Sequence, residues 1–332
     1  MLRTAIIGLG YWGPNYARLL NGIVRGAQLV ACADRDGARL GELSGQYPGI
    51  QMFEDHRQML AACQVDAAII ATPTSSHLEL ALDCMEGGLD VLIEKPLAMT
   101  SADAQQIVDR AAERGRKLMV GHTFLFNPAV RLIKRYIDER ELGRILYLSF
   151  TRTGLGPIRQ DVNALWDLAP HDLSMLRYWL GADPVEVTAQ GQSYLKPGMD
   201  DVVFVTLRYP NSVLAAIHLS WLDPVKDRKV TIVGDRKMVV FDDVSQTEKL
   251  RIYDKGVSYQ PRNGDFADFV AAVRDGDITI PTVDTREPLR EQLEHFVDCI
   301  VNGKQPLADG AQGVAVVRTL EQAQAVLDRA PV

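Results

Sequence analysis

The stretch Gly8-Leu9-Gly10-Tyr11-Trp12-Gly13 constrains this chain more than any other. It lies between an apolar run, Thr4 to Ile7, and a helical stretch through Leu19-Leu20. Strand, glycine turn and helix in that order open a dinucleotide-binding βαβ unit, and each glycine has its own task. Gly8 permits the tight turn, Gly10 lets the backbone approach a pyrophosphate, and Gly13 lets helix and strand pack closely. Tyr11 and Trp12 fill the turn and are counted with the cofactor-contacting residues. Pro14 suits a first helical turn, whose free N–H groups and positive dipole end favour phosphate. A second strand, Gln28 to Ala33, ends at Asp34, 21 positions after Gly13, where a ribose-binding acid is expected. Its charge favours the 2′-hydroxyl of NAD over a 2′-phosphate, while Arg35 beside it offers an offset that admits NADP.

Strand and helix go on alternating. A helix is expected after Asp36, a strand at Gln51–Phe53, a helix at His56–Ala62 and a continuous apolar strand at Val65–Ala71. Another helix runs to Met85, followed by a strand at Asp90–Ile93, a helix from Thr100-Ser101 and a strand at Lys117–Val120. Repeated βα units with right-handed crossovers make a doubly wound parallel sheet, α/β in class, which binds ligands beyond the carboxyl ends of its strands. Gly8 to Gly13, Asp34, Thr72-Pro73, Glu94-Lys95-Pro96 and His122 all fall at such ends. His77 opens a helix beside the Thr72-Pro73 loop and is assigned to capping or cofactor contact.

After about residue 122 the pattern changes. A helix from Phe126-Asn127-Pro128 precedes a strand at Ile145–Thr153 and a helix at Trp166–Tyr178. Longer strands follow at 185–190, 202–209, 213–220, 229–233 and 237–241, with Pro210-Asn211 and Gly234-Asp235 as hairpin turns. Helices are expected at Phe266–Arg274, Arg286–Asn302 and Val314–Leu327. The division expected is 1–122 as a dinucleotide-binding domain and 123–332 as an α+β domain on a large, mostly antiparallel sheet, the C-terminal helices packing back.

A chain of 332 residues exceeds the size at which one core stops growing, which agrees with two domains. With a net charge of −7 and no Lys/Arg run, no nucleic-acid footprint exists. Cys32, Cys63, Cys84 and Cys299 form no CxxC or Cys/His cluster, so they read as reduced, buried thiols and no metal site is expected. Neither a signal-peptide pattern nor a membrane-length apolar run is present, and a cytoplasmic location is expected.

Asp167 and His171 stand four residues apart in Trp166-Asp167-Leu168-Ala169-Pro170-His171-Asp172, on one face of a helix. A carboxylate beside an imidazole is what a general base requires, because the acid orients the ring and stabilises its charged form. Together with Gly8–Gly13, Glu94-Lys95-Pro96 and Gly121-His122, the pair resembles the Gfo/Idh/MocA family of nicotinamide-dependent oxidoreductases over essentially the whole chain. The resemblance implies a Rossmann domain, an open-faced sheet domain, NAD or NADP as cofactor, and a sugar-like substrate. It further implies that Lys95 and His171, with Asp167, face the substrate carbinol and that Glu94 serves the lysine or the nicotinamide ribose.

Residues 10–15 and 121–128, with the segment Arg152 to Asn163, resemble members that oxidise nucleotide-linked amino sugars at C3. Arg152 and Arg159, with two glycines between them, are read either as diphosphate ligands or as arginines that are solvated or bind carboxylates within the fold, and Asn127 and Asn163 are placed on the substrate side. A free sugar or inositol, a 3-ketosugar reduction, and a nicotinamide-binding regulator stand as alternatives. The family implies a homodimer or homotetramer.

Overall fold

The computed structural model describes residues 1–261 and 269–329. Two compact units divide the chain, one made of Met1–Asn127 with Arg286–Glu321, the other of Pro128–Thr285 with Gln322–Val332.

The first unit holds six strands: β1 (Leu2–Ile7), β2 (Ala27–Ala33), β3 (Gln51–Phe53), β4 (Ala67–Ile70), β5 (Asp90–Ile93) and β6 (Leu118–Val120). All pair in parallel in the order β3-β2-β1-β4-β5-β6. The chain leaves β1 in one direction for β2 and β3, then returns to β4 on the other side, so the β1/β4 boundary is the topological switch point. Ala67 to Ile70 and Val91 to Ile93 are wholly buried, as strands covered on both faces must be. The crossovers are α1 (Gly13–Leu20), α2 (Gly37–Gln46), α3 (His56–Ala62), α4 (His77–Glu86) and α5 (Ser101–Arg114). Their ends follow local chemistry. The Thr100 hydroxyl accepts from Asp103 N at the start of α5, and Gly115 closes it in the left-handed region.

In the second unit α6 (Pro128–Asp138), β7 (Ile145–Leu155) and α7 (Ala164–Leu180) come first. The strands β8 (Glu186–Gln192), β9 (Val202–Arg208), β10 (Leu214–Ser220), β11 (Leu222–Gly234), β12 (Met238–Asp242), β13 (Leu250–Pro261) and β14 (Phe269–Thr279) follow. The sheet order is β14-β13-β12-β11-β7-β10-β9-β8, antiparallel except for β7 with β10. Val203, Val205 and Leu207 alternate into the core under α7, while Phe204 on the opposite face stays about half exposed and stacks on His218. The class is thus α/β, a parallel Rossmann sheet followed by a larger, mostly antiparallel one.

One element differs from expectation. Residues 269–274 belong to strand β14 and not to a helix, while Phe266 to Ala267 and Asp268 lie outside the described residues. Phe269 to Val273 is an apolar run too short for its period to separate helix from strand, and β13 supplies its ladder partner. Helices α8 (Pro288–Val301) and α9 (Gly310–Leu327) end the chain, α8 lying wholly in the first unit. No described helix is long and apolar enough to cross a membrane.

Candidate active site

The glycine turn meets the loop after β4 at the switch point. Gly8 has φ +97°, and a Cβ on it would stand 2.7 Å from the Ala71 carbonyl and from Thr72 Cγ2. A Cβ on Gly13 would stand 2.3 Å from Gly8 O. Gly10 is different, since its nearest neighbour would be Arg39 Nη1 at 3.9 Å, which leaves that backbone open to an incoming group. Two positions close the turn and one opens it, so the cradle fits a pyrophosphate at the start of α1. Tyr11 is largely exposed beside it, its ring edge-on to Trp12.

Asp34 is held from two sides: Leu9 N donates to Oδ2 at 2.5 Å and Asp36 N to Oδ1 at 2.8 Å. The acid therefore ties the glycine turn to β2 and keeps acceptor capacity for a ribose hydroxyl. The cation beside it is Arg39, 3.7 Å from Asp34 and 3.3 Å from Asp36, in place of the expected Arg35. Arg39 follows Asp36 by three residues on α2, and that spacing was the available signal.

Glu94, directly after β5, is buried, and the Tyr16 hydroxyl donates to its Oε1 at 2.7 Å. Its Oε2 accepts from Lys95 N at 3.1 Å, and Gln292 Nε2 donates to Tyr16 Oη at 3.3 Å. Burial pushes the Glu94 carboxyl up, against the Tyr16 hydrogen bond and the Lys95 charge. The Tyr16 hydroxyl is also held up, by burial and by the charge of Glu94.

The two histidines at strand ends have opposite surroundings. His77 is fully buried with Nδ1 3.0 Å from Pro96 O and 3.2 Å from Leu97 O, and Nε2 3.0 Å from Thr72 O. Both nitrogens face backbone carbonyls, so His77 braces the Pro73 and Pro96 loops, which favours the structural one of its two expected roles over cofactor contact. Burial lowers its pKa. His122 is also fully buried, yet neither ring nitrogen has a hydrogen-bond partner among the described residues. Burial and the Lys95 charge push its pKa down to about 3. An orphaned neutral imidazole beside Lys95 is a further feature that suits a bound polar group.

In the second unit, Asp167 and His171 lie on α7 one turn apart. Asp167 Oδ1 accepts from Arg159 Nη1 at 3.3 Å and Oδ2 from Trp221 Nε1 at 3.2 Å, which fixes both oxygens. Arg159 also binds Asp161 through Nε at 2.9 Å and Nη2 at 2.5 Å. That pair raises the arginine pKa and lowers that of Asp161.

Three substrate assignments change with these contacts. Arg152 is buried in β7 and grips Asp172 through Nε at 3.1 Å to each oxygen and Nη2 at 2.6 Å. It is a structural ion pair and not a diphosphate ligand. Arg159 spends its fork on Asp161 and Asp167, which makes it a holder of the carboxylate. The Asn163 side chain caps α7 by accepting from Trp166 N at 3.1 Å and donates to Gln324 Oε1 at 2.9 Å, so it is a helix cap. Asn127 is buried at the end of the 3-10 turn Thr123–Phe126. Tyr16, Gln292, Trp221 and Asp172 were not found from sequence, because nothing local marks partners 78, 276, 54 and 20 positions away.

Residues 2–122 match the oxidoreductase family with an NAD-binding Rossmann fold, and residues 130–240 match the GFO/IDH/MocA C-terminal domain. The chain belongs to the Gfo/Idh/MocA oxidoreductase family. It is 28% identical to a scyllo-inositol 2-dehydrogenase (NAD(+)) of Bacillus subtilis, over 92% of this chain and 88% of that one. It is 27% identical to a UDP-N-acetylglucosamine 3-dehydrogenase of Acidithiobacillus ferrooxidans, over 98% and 97%. The solved structure of that 3-dehydrogenase superimposes with a TM-score of 0.81 at 26% identity, covering 98% of this chain and 97% of the other. The protein is an NAD-binding enzyme of this family.

Proposed function

We propose that the protein oxidises a secondary alcohol of a sugar with NAD⁺, its substrate being a nucleotide-linked sugar attacked at C3. The observation that carries the catalytic part is the fixed carboxylate of Asp167, held on both oxygens by Arg159 and Trp221 one helical turn before His171. When bound, the nicotinamide supplies the hydride acceptor. His171 takes the hydroxyl proton as the C–H bond breaks, and Asp167 stabilises the resulting imidazolium. Positioned acid–base groups of this kind contribute about 10²–10⁴ in rate. The Lys95 ammonium donates to the same oxygen and stabilises the negative charge that develops there. Asp34 accepts from the adenosine ribose, and the α1 N-terminus takes the pyrophosphate.

Support for the nucleotide-linked substrate comes from the near-complete overlap with a UDP-N-acetylglucosamine 3-dehydrogenase, in sequence and in fold. A cyclitol is the second reading, favoured by the commitment of Arg152 and Arg159 to carboxylates within the fold. The deciding experiment incubates the enzyme with NAD⁺ and, separately, NADP⁺ against UDP-, GDP- and dTDP-sugars, free sugars and inositols, and follows reduced-cofactor absorbance. Reduction with a nucleotide sugar is expected. Reduction only with inositols or free sugars transfers the assignment to the second reading, and cofactor binding without turnover in either direction refutes both.

A further inference from the structure

Four segments build the surroundings of one buried carboxylate in the first unit, one of them through Tyr16. Tyr16 reaches Glu94 from α1, Lys95 N from the turn after β5, and Gln292 supports Tyr16 from α8. The fourth is Gly121, directly after β6. A Cβ there would stand 3.1 Å from Glu94 Oε2 and 3.2 Å from its Cδ, so a side chain would push the carboxylate away. Tyr16 and Gln292 are both fully buried. Filling space at position 16 needs only a phenyl ring, whereas a buried hydroxyl aimed at a buried charge is costly unless the bond it makes is used. Helix α1 also closes the cofactor cradle at Gly13, so this bond ties the cradle helix to the lysine turn.

We propose that Tyr16 is a positioning residue, holding the Glu94 carboxylate so that the adjoining Lys95 is presented to the substrate oxygen in one orientation when the cradle is formed. The inference rests on the role given to Lys95 above. The groups facing Glu94 are the Tyr16 hydroxyl from α1 and Lys95 on its own turn. Gln292 stands behind Tyr16 without charge, and His122 after β6 is uncharged above a pH of about 3. Removing the Tyr16 donor therefore leaves Lys95 alone to stabilise the carboxylate.

The test is Tyr16→Phe, which keeps the ring and removes one O–H. A hydrogen bond to a charged group corresponds to roughly 10–100-fold in an equilibrium, or about 1–2 pH units. The acidic limb of the kcat profile belongs to the His171 base and is expected to stay, while kcat above it falls ~10-fold and NAD⁺ affinity changes less than ~2-fold. Infrared titration of the protonated Glu94 carboxyl band, assigned by its loss in Glu94→Gln, needs no substrate and should move up by about 1–2 pH units. Gln292→Leu, which weakens the support behind Tyr16, should move both readouts the same way by less, and it serves if Tyr16→Phe does not fold. An unchanged kcat in a folded Tyr16→Phe enzyme overturns the proposal, whether or not the infrared band moves. A wild-type enzyme that turns over nothing refutes the functional reading, and the role in presenting Lys95 falls with it. The infrared shift would then show the Tyr16–Glu94 bond to be real without that role.

Discussion

Asp172→Asn tests the reassignment of Arg152 most sharply. The Arg152 and Asp172 side chains are 6% and 2% exposed and share three contacts of 3.1, 3.1 and 2.6 Å. The substitution keeps the shape of the side chain and deletes the charge that pairs with the buried guanidinium. Removing one partner of such a pair costs about 3–5 kcal/mol. The upper half of that range is expected here, because Arg228 lies near enough for the Arg152 charge to add to the burial that lowers its own pKa. At a slope of roughly 2 kcal/mol per molar urea, the midpoint falls by about 2 M. Tryptophan fluorescence is suited to the assay, since Trp166, Trp179 and Trp221 all lie in the second unit. The double variant Arg152→Met/Asp172→Leu replaces the pair by apolar groups and should recover all but about 1–2 kcal/mol, because breaking a buried pair costs more than removing it whole. If Asp172→Asn costs less than about 1 kcal/mol while Arg152→Met raises KM for a nucleotide sugar, the reasoning is wrong and Arg152 is a ligand after all.

Asp34→Ser should weaken NAD⁺ binding and strengthen NADP⁺ binding, each by roughly tenfold, and adding Arg39→Ala should erase the gain. Titration calorimetry reads both constants, and a gain that survives the loss of Arg39 would assign the phosphate to another cation. His122 has a folded pKa of about 3 against an unfolded value near 6.5. Below pH 6.5 the unfolded chain therefore takes up a proton that the native one refuses, so stability falls with falling pH by up to about 1.4 kcal/mol per unit. His122→Phe should flatten that acid limb in urea titrations, and an unaltered limb would place the titration elsewhere. Burial pushes the Cys32 and Cys84 thiols up to about 12, whereas Cys63 is half-buried. A thiol reagent at pH 8 should label Cys63 while sparing both until unfolding, and equal rates would contradict the burial of β2 and α4.

The Rossmann half was legible because its signals are local. Glycine spacing, continuous apolar strands and the acid at the end of β2 each carry their meaning within about 30 residues. Strands β13 and β14 were not legible, since charged residues such as Asp254, Lys255, Arg274 and Asp275 give them no clean apolar alternation and their stability comes from pairing. In the site, sequence located residue types but not their partners. Arg152 and Arg159 have the right chemistry for a diphosphate, and only the fold reveals that carboxylates 20 and 2 positions away occupy them. His77 and His122 follow the same rule at two strand ends, yet backbone carbonyls engage one and hydrogen-bond partners among the described residues are missing for the other. Gly121 reads as half of a short motif until Glu94 shows what its missing side chain makes room for.

The central claim, that Lys95 and His171 act on a carbinol beside NAD⁺, is tested most directly by Lys95→Ala and His171→Asn assayed beside the wild type on the substrate that the panel identifies. Turnover should fall by about 10²–10⁴ in each, with the NAD⁺ dissociation constant within about threefold of wild type. Near-normal turnover in either variant would contradict the mechanism and remove that residue from it.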